Sequence, residues 1–257
     1  MSIRFEKYKD SIYLKWQELE DLGIKHCFTT ASMDMGIKTC KDKMTLAQNY
    51  EHAKEFAGCA ADITIFPQQV HSDSISIITD PKCDTLPSQY GRYIKESDAL
   101  ITDISDITLV TQYADCTPIS LVDPVKKIIA SVHSGWRGTS MGILQNAIIA
   151  MKENYMSDPG DIKCFFWPSI SAEDFEVDED VAQIFKKSYE DPESFIYKKG
   201  HKYHIDLEYV NKMLAVKNGI PVENIYTSNI STYSDKRFHS FRRDKQNSGR
   251  MALLMEL

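Results

Sequence analysis

Two apolar runs, Pro118 to Val122 and Lys127 to Val132, flank the dipeptide Asp123-Pro124. Asp-Pro favours turn initiation, so the runs read as two strands joined by a hairpin. This feature restricts the fold more than any other. Strands linked by so short a turn are antiparallel, which excludes a regular alternation of strand and crossover helix. Further short strands are expected at Ile63 to Val70 and Ser74 to Thr79, with a turn around His71 between them. Others are expected at Ala99 to Thr102, Ile107 to Thr111, Ile162 to Trp167, Asn224 to Ser228 and Met251 to Leu257. Helices interleave with them. Thr45 to Gly58 opens with a Thr-x-x-Gln capping box and places Leu46, Tyr50, Ala53 and Ala57 on one face. A second helix starts just after Gly138, with Leu144, Ala147, Ile148, Met151 and Tyr155 at helical spacing. Asp178 to Tyr189 is a third, and Asp206 to Asn218 a fourth, with Asp206 as N-cap and Gly219 just past its end. The expected fold is mixed α/β (α+β), with central mixed β-sheets flanked by helices.

A chain of 257 residues allows one large or two small domains. It shows no repeat, low-complexity tract or Gly/Ser-rich linker, and the strongest interruption, Asp80 to Gly91, reads as a surface loop. One domain over residues 1–257 is expected. The apolar fraction of 42% and charged fraction of 26% are those of a globular protein. The formal net charge of −7 argues against a basic face for nucleic acid. No run approaches the roughly 18 apolar residues of a membrane span, and the N-terminal stretch has no apolar core of a secretory signal. Cysteines stand at 27, 40, 59, 83, 116 and 164, with no Cys-x-x-Cys. They read as free thiols in a reducing compartment, and a cytoplasmic location is expected.

Three segments carry chemistry. Gln69-Val70-His71 ends a strand; Ala114-Asp115-Cys116-Thr117-Pro118 lies between two strands; His133-Ser134-Gly135-Trp136-Arg137-Gly138 runs from a strand through a glycine-rich turn into a helix. Each places a titratable or soft group at a strand end. Two imidazoles and a thiolate would supply three of zinc's four ligands. The spacings of 45 and 17 residues match no short zinc signature. Structural roles and a Cys-His nucleophile pair stay open beside a metal site. In the third segment, backbone N–H groups and Arg137 could hold an anion, or form a tight turn with a solvated Arg. Arg237 to Arg250 interleaves five cations with Phe238 and Phe241, which suits either a cationic site wall or a solvated face. His201 and His204 read as loop surface leading into a strand. Nucleotide-loop, zinc-deaminase and His-Glu-x-x-His signatures are absent.

The ordered motifs QVH (69–71), SDALIT (97–102), YADCTPISLVDP (113–124), SVHSGWRGT (131–139), FEVDEDV (175–181), YHIDL (203–207), ENIYTS (223–228), SFRRD and SGRMA (240–252) together resemble the YfiH-type laccase-domain family. These proteins are also called polyphenol-oxidase-like or peptidoglycan-editing-factor proteins. The resemblance runs from about Lys25 to the C-terminus. It implies a single mixed α/β domain with a zinc site at His71, Cys116 and His133. It implies phosphorolysis of adenosine, inosine, guanosine or methylthioadenosine, with deamination of adenosine as a side activity. Purine nucleoside and phosphate would be the ligands, with neither nucleic acid nor membrane as partner. Arg137, Arg242 and Arg243 are the candidates to hold phosphate, and Asp115 to position groups or handle protons.

Alternatives follow from older family labels. One is a copper phenol oxidase, although the chain has seven His and no His-x-His pair, so copper would be adventitious. Another is a hydrolase using Cys116 on a cell-wall peptide intermediate, and a third a binding module without turnover. The chain departs from the family pattern in three places. The loop after Thr29-Thr30 is short, Trp167-Pro168-Ser169-Ile170-Ser171 replaces Gly-Pro-Cys-Ile-Gly, and Ser231 stands where Cys is usual.

Overall fold

The structure is a computed structural model that describes residues 3–82 and 84–257; Cys83, expected among the free thiols, lies outside the described residues. The other five cysteines are free. Two large mixed sheets stack face to face, with helices on their outer faces. The eight-stranded sheet runs, in spatial order, Ile3–Tyr8, Ser11–Trp16, Lys25–Thr29, Met251–Glu256, Ile107–Tyr113, Ile63–Pro67, Gly91–Ile94 and Leu86–Ser88. The six-stranded sheet runs Ile225–Thr227, Lys163–Phe166, Thr117–Asp123, Ile128–Ser134, Ala99–Thr102 and Ile75–Ile78. A small sheet of Glu176–Val177, Lys202–Ile205 and Ile196–Lys199 stands apart. No helix among the described residues is long and apolar enough to cross a membrane.

The alternation of side chains along each strand builds the layers. In Met251–Glu256, Met251, Leu253 and Met255 enter the core between the sheets, while Ala252 and Leu254 meet the helix Lys43–Ala57. In the six-stranded sheet, Leu100, Val122, Ile129 and Phe165 face inward. Their neighbours Ile101, Leu121, Ala130 and Phe166 pack with Ile148, Met151 and Ala215 of the helices Ile143–Tyr155 and Leu207–Lys217. Burial of each such large side chain is worth about 1.5–3 kcal/mol. Among the polar groups inside, the Thr111 and Ser131 hydroxyls bridge the two sheets at 2.7 Å.

The expected hairpin forms, with Thr117 opposite Ser134 and Asp123 opposite Ile128. Asp123 Oδ1 accepts the N–H groups of Val125 and Lys126, both at 2.9 Å, which fixes the turn. The helix expected from Thr45 starts at Lys43 instead, because Asp42 is the cap and accepts the Met44 N–H at 3.0 Å. Thr45 donates its hydroxyl to the same carboxylate. Asp206 caps its helix as expected, accepting the Tyr209 N–H at 2.8 Å. The helix expected after Gly138 is two helices, Trp136–Met141 and Ile143–Tyr155, broken at Gly142 with φ 81°. The strands on either side of His71 do not pair: Ile63–Pro67 belongs to the larger sheet and Ile75–Ile78 to the smaller. The Asp80 to Gly91 segment is not wholly a loop, since Leu86–Ser88 pairs with Gly91–Ile94. It is a short, exposed edge containing Pro87, so no apolar alternation marks it. His204 is not loop surface: it sits in the Lys202–Ile205 strand at 4% exposure.

Candidate metal centre

Both segments that carry His71 and Cys116 cross from the larger sheet to the smaller. His71 lies between Ile63–Pro67 and Ile75–Ile78, and Cys116 between Ile107–Tyr113 and Thr117–Asp123. His133 lies on Ile128–Ser134, opposite Pro118. The crossovers therefore bring the three residues together at one end of the stacked sheets. One ligand atom from each lies within 4.8 Å of the others. The two imidazole rings stand nearly perpendicular, at 83°, with centroids 4.9 Å apart. This group could hold a metal ion.

The backbone around the trio is under constraint. His71 has φ 62° and Asp115 φ 85°, both in the left-handed region that non-glycine residues rarely adopt. Such geometry costs about 1–3 kcal/mol per residue and persists only where neighbours hold it. Asp98 is the neighbour that holds His71. Its carboxylate is fully buried and accepts N–H groups from Val70 at 3.2 Å, His71 at 3.0 Å and Ser72 at 2.7 Å, plus the Ser72 hydroxyl at 2.8 Å. The same carboxylate bonds His133 Nδ1 at 2.8 Å, and the Asp98 carbonyl accepts the His133 N–H at 2.8 Å. One residue thus fixes the His71 backbone and the His133 imidazole, and leaves His133 Nε2 to face Cys116. Asp98 had no role in the sequence argument. A carboxylate immediately before the apolar run Ala99-Leu100-Ile101 of the buried strand Ala99–Thr102 is the signal that could have found it.

Gly135 closes the cradle. A Cβ at this position would lie 2.9 Å from His71 Cδ2 and 3.1 Å from Cys116 Sγ. Glycine is needed here for close approach, since the backbone angles suit any residue (φ −72°, ψ 168°). Burial pushes the Cys116 thiol up, but the adjacent His133 and His71 rings outweigh it and hold the thiol down at about 6. Burial pushes His133 down, but Cys116 and Asp98 outweigh it and raise it above the ordinary imidazole range. The pair favours thiolate and imidazolium. The thiolate is the form that ligates metal, and a metal at Nε2 would displace the imidazolium proton.

The trio opens into a cavity of about 1230 Å³. Arg137 and Arg242 line it, with Lys245 and Arg250 from the basic C-terminal run. Arg137 stacks over the Trp136 ring at 4.4 Å. Arg242 donates to the Glu176 carbonyl at 2.8 Å. Arg243 does not line the cavity. Its guanidinium bonds the carbonyls of Thr232, Tyr233 and Phe238 and the Asp244 carboxylate, at 2.8–3.0 Å, and so pins the 232–244 loop. The two phenylalanines of the run also diverge: Phe238 is buried between the sheets, and Phe241 lines the cavity. Asp115 points into the Arg242 loop, accepting the Thr232 hydroxyl at 2.8 Å and the Arg242 N–H at 2.6 Å. It positions Arg242.

Trp167 is core, stacked on Phe28 at 5.6 Å. Ser171, Ser231 and Ser234 all donate to Asp174 Oδ2, at 2.6–2.9 Å. The departures at 169–171 and at 231 therefore meet in one polar knot beside the cavity wall, where Ser169 bridges to Ser231.

Comparison with known proteins agrees with the sequence resemblance. A purine nucleoside phosphorylase of Clostridium acetobutylicum is 38% identical over 188 residues, covering 72% of each chain. The purine nucleoside phosphorylase YlmD of Bacillus subtilis is 26% identical over 86% of this chain and 80% of its own. Adenosine deaminase RL5, from an unknown prokaryotic organism, is 30% identical over 84% of this chain and 81% of its own. The crystal structure of Bacillus licheniformis YfiH superposes with a TM-score of 0.87, at 25% identity over 98% of both chains. YlmD of Geobacillus stearothermophilus has the same fold, with a TM-score of 0.87 at 23% identity over 98% of both chains. A family model described as multi-copper polyphenol oxidoreductase laccase matches residues 23–257, and the chain belongs to that family.

Proposed function

We propose that the protein is a zinc-dependent purine nucleoside phosphorylase with adenosine deaminase side activity, acting on adenosine, inosine, guanosine or methylthioadenosine. The observation that carries this reading is the convergence of His71, Cys116 and His133 at a cavity whose wall bears Arg137 and Arg242. The names of the relatives support it.

The donor set fits zinc, which takes two imidazoles and a thiolate and keeps a fourth position open in catalytic sites. His71, Cys116 and His133 would hold it, and Asp98 would orient His133 as carboxylates orient metal-binding histidines. Bound zinc supplies a Lewis acid and lowers the pKa of water, the nucleophile of deamination. The remaining work belongs to the chain. Arg137 and Arg242 hold the phosphate by charge-assisted bonds. A phosphate oxygen attacks the anomeric carbon of the ribose, the C–N bond breaks, and the purine leaves with the electron pair and takes up a proton. Asp115 keeps Arg242 at the wall through its backbone N–H.

The Cys116–His133 pair also favours a second reading, a cysteine hydrolase, because the thiol is already held down. A zinc-bound thiolate is not free to attack, so the two readings compete for one sulfur. Copper on the same ligands follows from affinity alone and would be adventitious.

The test is adenosine turnover in phosphate, with a phosphate-free control, on protein of known metal content. Phosphate-dependent release of adenine, with about one zinc per chain, is expected. Cys116→Ala should lose zinc and base release together. Zinc retained in that variant would overturn the ligand set. No base release from zinc-loaded wild-type protein would overturn the phosphorylase reading.

A further inference from the structure

Side chains alternate along Ile107–Tyr113. Thr111 and Tyr113 point between the two large sheets, and Gln112 points to the other face, where Val110 packs with Tyr50 and Phe66. Gln112 lines the cavity there, together with Phe66, Tyr90 and Tyr93. These rings gather around Tyr50 of the helix Lys43–Ala57, whose ring meets Phe66 edge-on at 5.2 Å and Tyr90 at 6.0 Å. The Gln112 amide is held in one orientation. Its Nε2 lies 2.7 Å from the Met35 carbonyl and 2.6 Å from the Tyr50 hydroxyl. The carbonyl has no proton, and Tyr50 donates its own to that same carbonyl at 2.6 Å. Both partners therefore accept, so the N–H₂ arm must face them. The backbone is fixed as well: Gln69 Nε2 donates to the Gln112 carbonyl at 2.8 Å, and Gln69 Oε1 accepts the Gln112 N–H at 2.9 Å. The other arm of the amide, Oε1, makes no hydrogen bond among the described residues and is not sealed in by protein, so it opens to the cavity. Beside the aromatic rings the chain thus presents a lone acceptor with its donor arm withheld.

We propose that Gln112 determines which base the cavity takes. The rings of Phe66, Tyr90 and Tyr93 hold the plane of the purine, as aromatic side chains hold bases elsewhere, and Gln112 Oε1 accepts a proton from an exocyclic 6-amino group. The cavity then prefers 6-aminopurines, as in adenosine and methylthioadenosine, to the 6-oxopurines of inosine and guanosine. A free Gln amide pairs with adenine through both of its arms; here the donor arm is spent on Met35 and Tyr50, and only the acceptor is left. A 6-oxo group in the same place sets a second acceptor against Oε1 and leaves both unpaired. The inference rests on the purine nucleoside reading above and chooses within its substrate set. Arg137 and Arg242 remain for phosphate.

Calorimetric titration of the zinc-loaded protein with adenine, with hypoxanthine and with unsubstituted purine tests it, since a free base has no glycosidic bond to break. Adenine is expected to bind about tenfold tighter than either of the others. Gln112→Met keeps the length of the side chain and removes the acceptor, and should bring adenine within about twofold of purine. Zinc content and thermal midpoint, read on the same sample, separate a lost acceptor from a lost fold, and the wild-type series decides the matter by itself if the variant does not fold. Adenine that binds no tighter than purine in the wild type overturns the proposal. So does hypoxanthine that matches adenine, or an adenine preference that survives Gln112→Met. Adenine release from adenosine, measured separately, reports on the phosphorylase reading. Release without an adenine preference overturns the assignment of Gln112 alone; no release and no base bound overturns both.

Discussion

Replacing Asp98 by Asn tests the central geometric argument. The substitution keeps size and shape but removes the charge and one acceptor. Asp98 Oδ2 accepts from Val70, from the Ser72 N–H and from the Ser72 hydroxyl, while Oδ1 accepts from His71 and engages His133 Nδ1. An amide can serve one side only. With its oxygen toward His71 and His133, the amide N–H₂ meets donors at Val70 and Ser72; with the reverse orientation it meets the His71 N–H, and His133 must give up its Nδ1 proton to accept from it. Two charge-assisted bonds are lost, each worth about 1.5–3 kcal/mol, so the expected cost is about 3–6 kcal/mol. For a chain of this size that is a fall in melting temperature of about 6–24 °C. Losing the partner of a metal-binding histidine weakens metal affinity by about 10–100-fold. The assays are thermal unfolding of the metal-free protein and zinc affinity by chelator competition. A variant within about 0.5 kcal/mol of wild type, with unchanged zinc affinity, would refute the claim that Asp98 organises both histidines. The same group predicts acid sensitivity. Burial pushes the Asp98 carboxyl up, but His133 and Ser72 outweigh it and hold it down at about 2. A carboxylate lowered in the folded state stabilises above its unfolded value and loses that contribution as pH falls toward the folded one. The loss should therefore fall between about pH 4 and pH 2, and should be absent from the Asn variant.

Other perturbations separate neighbouring roles. Gly135→Ala places a Cβ against His71 and Cys116 without straining the backbone, so zinc stoichiometry should drop while the fold persists; full zinc occupancy would show that the cradle is looser than its distances. Arg242→Ala should raise the KM for phosphate more than that for nucleoside, in initial-rate kinetics with each substrate varied. Arg243→Ala should instead cost about 2–4 kcal/mol in urea unfolding, since its guanidinium bonds three carbonyls of the 232–238 loop. Equal kinetic effects of the two substitutions would show that Arg243 reaches the substrate after all. His26 supplies a second pH effect. It is fully buried, its Nε2 accepts the Trp16 N–H at 3.0 Å, and burial lowers it to about 4. The unfolded chain takes up this proton first, so stability is complete above about pH 6.5 and declines as pH falls to about 4. His26→Gln should flatten that decline in urea midpoints taken across the range.

Much of the fold was legible because local chemistry repeats at fixed periods. The hairpin at Asp123-Pro124, the Asp206 cap and the apolar face of Leu46, Tyr50, Ala53 and Ala57 were all read from sequence, and all formed. The edge strand Leu86–Ser88 was hidden because an exposed edge needs no apolar alternation. The first strand, Ile3–Tyr8, carried a period-two signal in Ile3 and Phe5 against Arg4 and Glu6, but its charged residues masked it.

For the site, the chain by itself determined which groups were available: two imidazoles, a thiol, and a glycine-rich turn that ends in Arg137. Their motifs also determined the family. Only tertiary structure decided which groups meet. His71 and Cys116 converge because two crossovers between sheets end at the same edge of the stack, a relation between segments 45 residues apart that no local period records. Asp98 emerged for the same reason, since its partners at residues 70–72 and 133 are distant in sequence and adjacent only in the folded chain. Arg242 and Arg243, consecutive and alike in chemistry, point to different sides of one short turn. One reaches the cavity, and the other is spent on backbone carbonyls. Side-chain direction at such a turn is set by packing, and packing belongs to the whole fold.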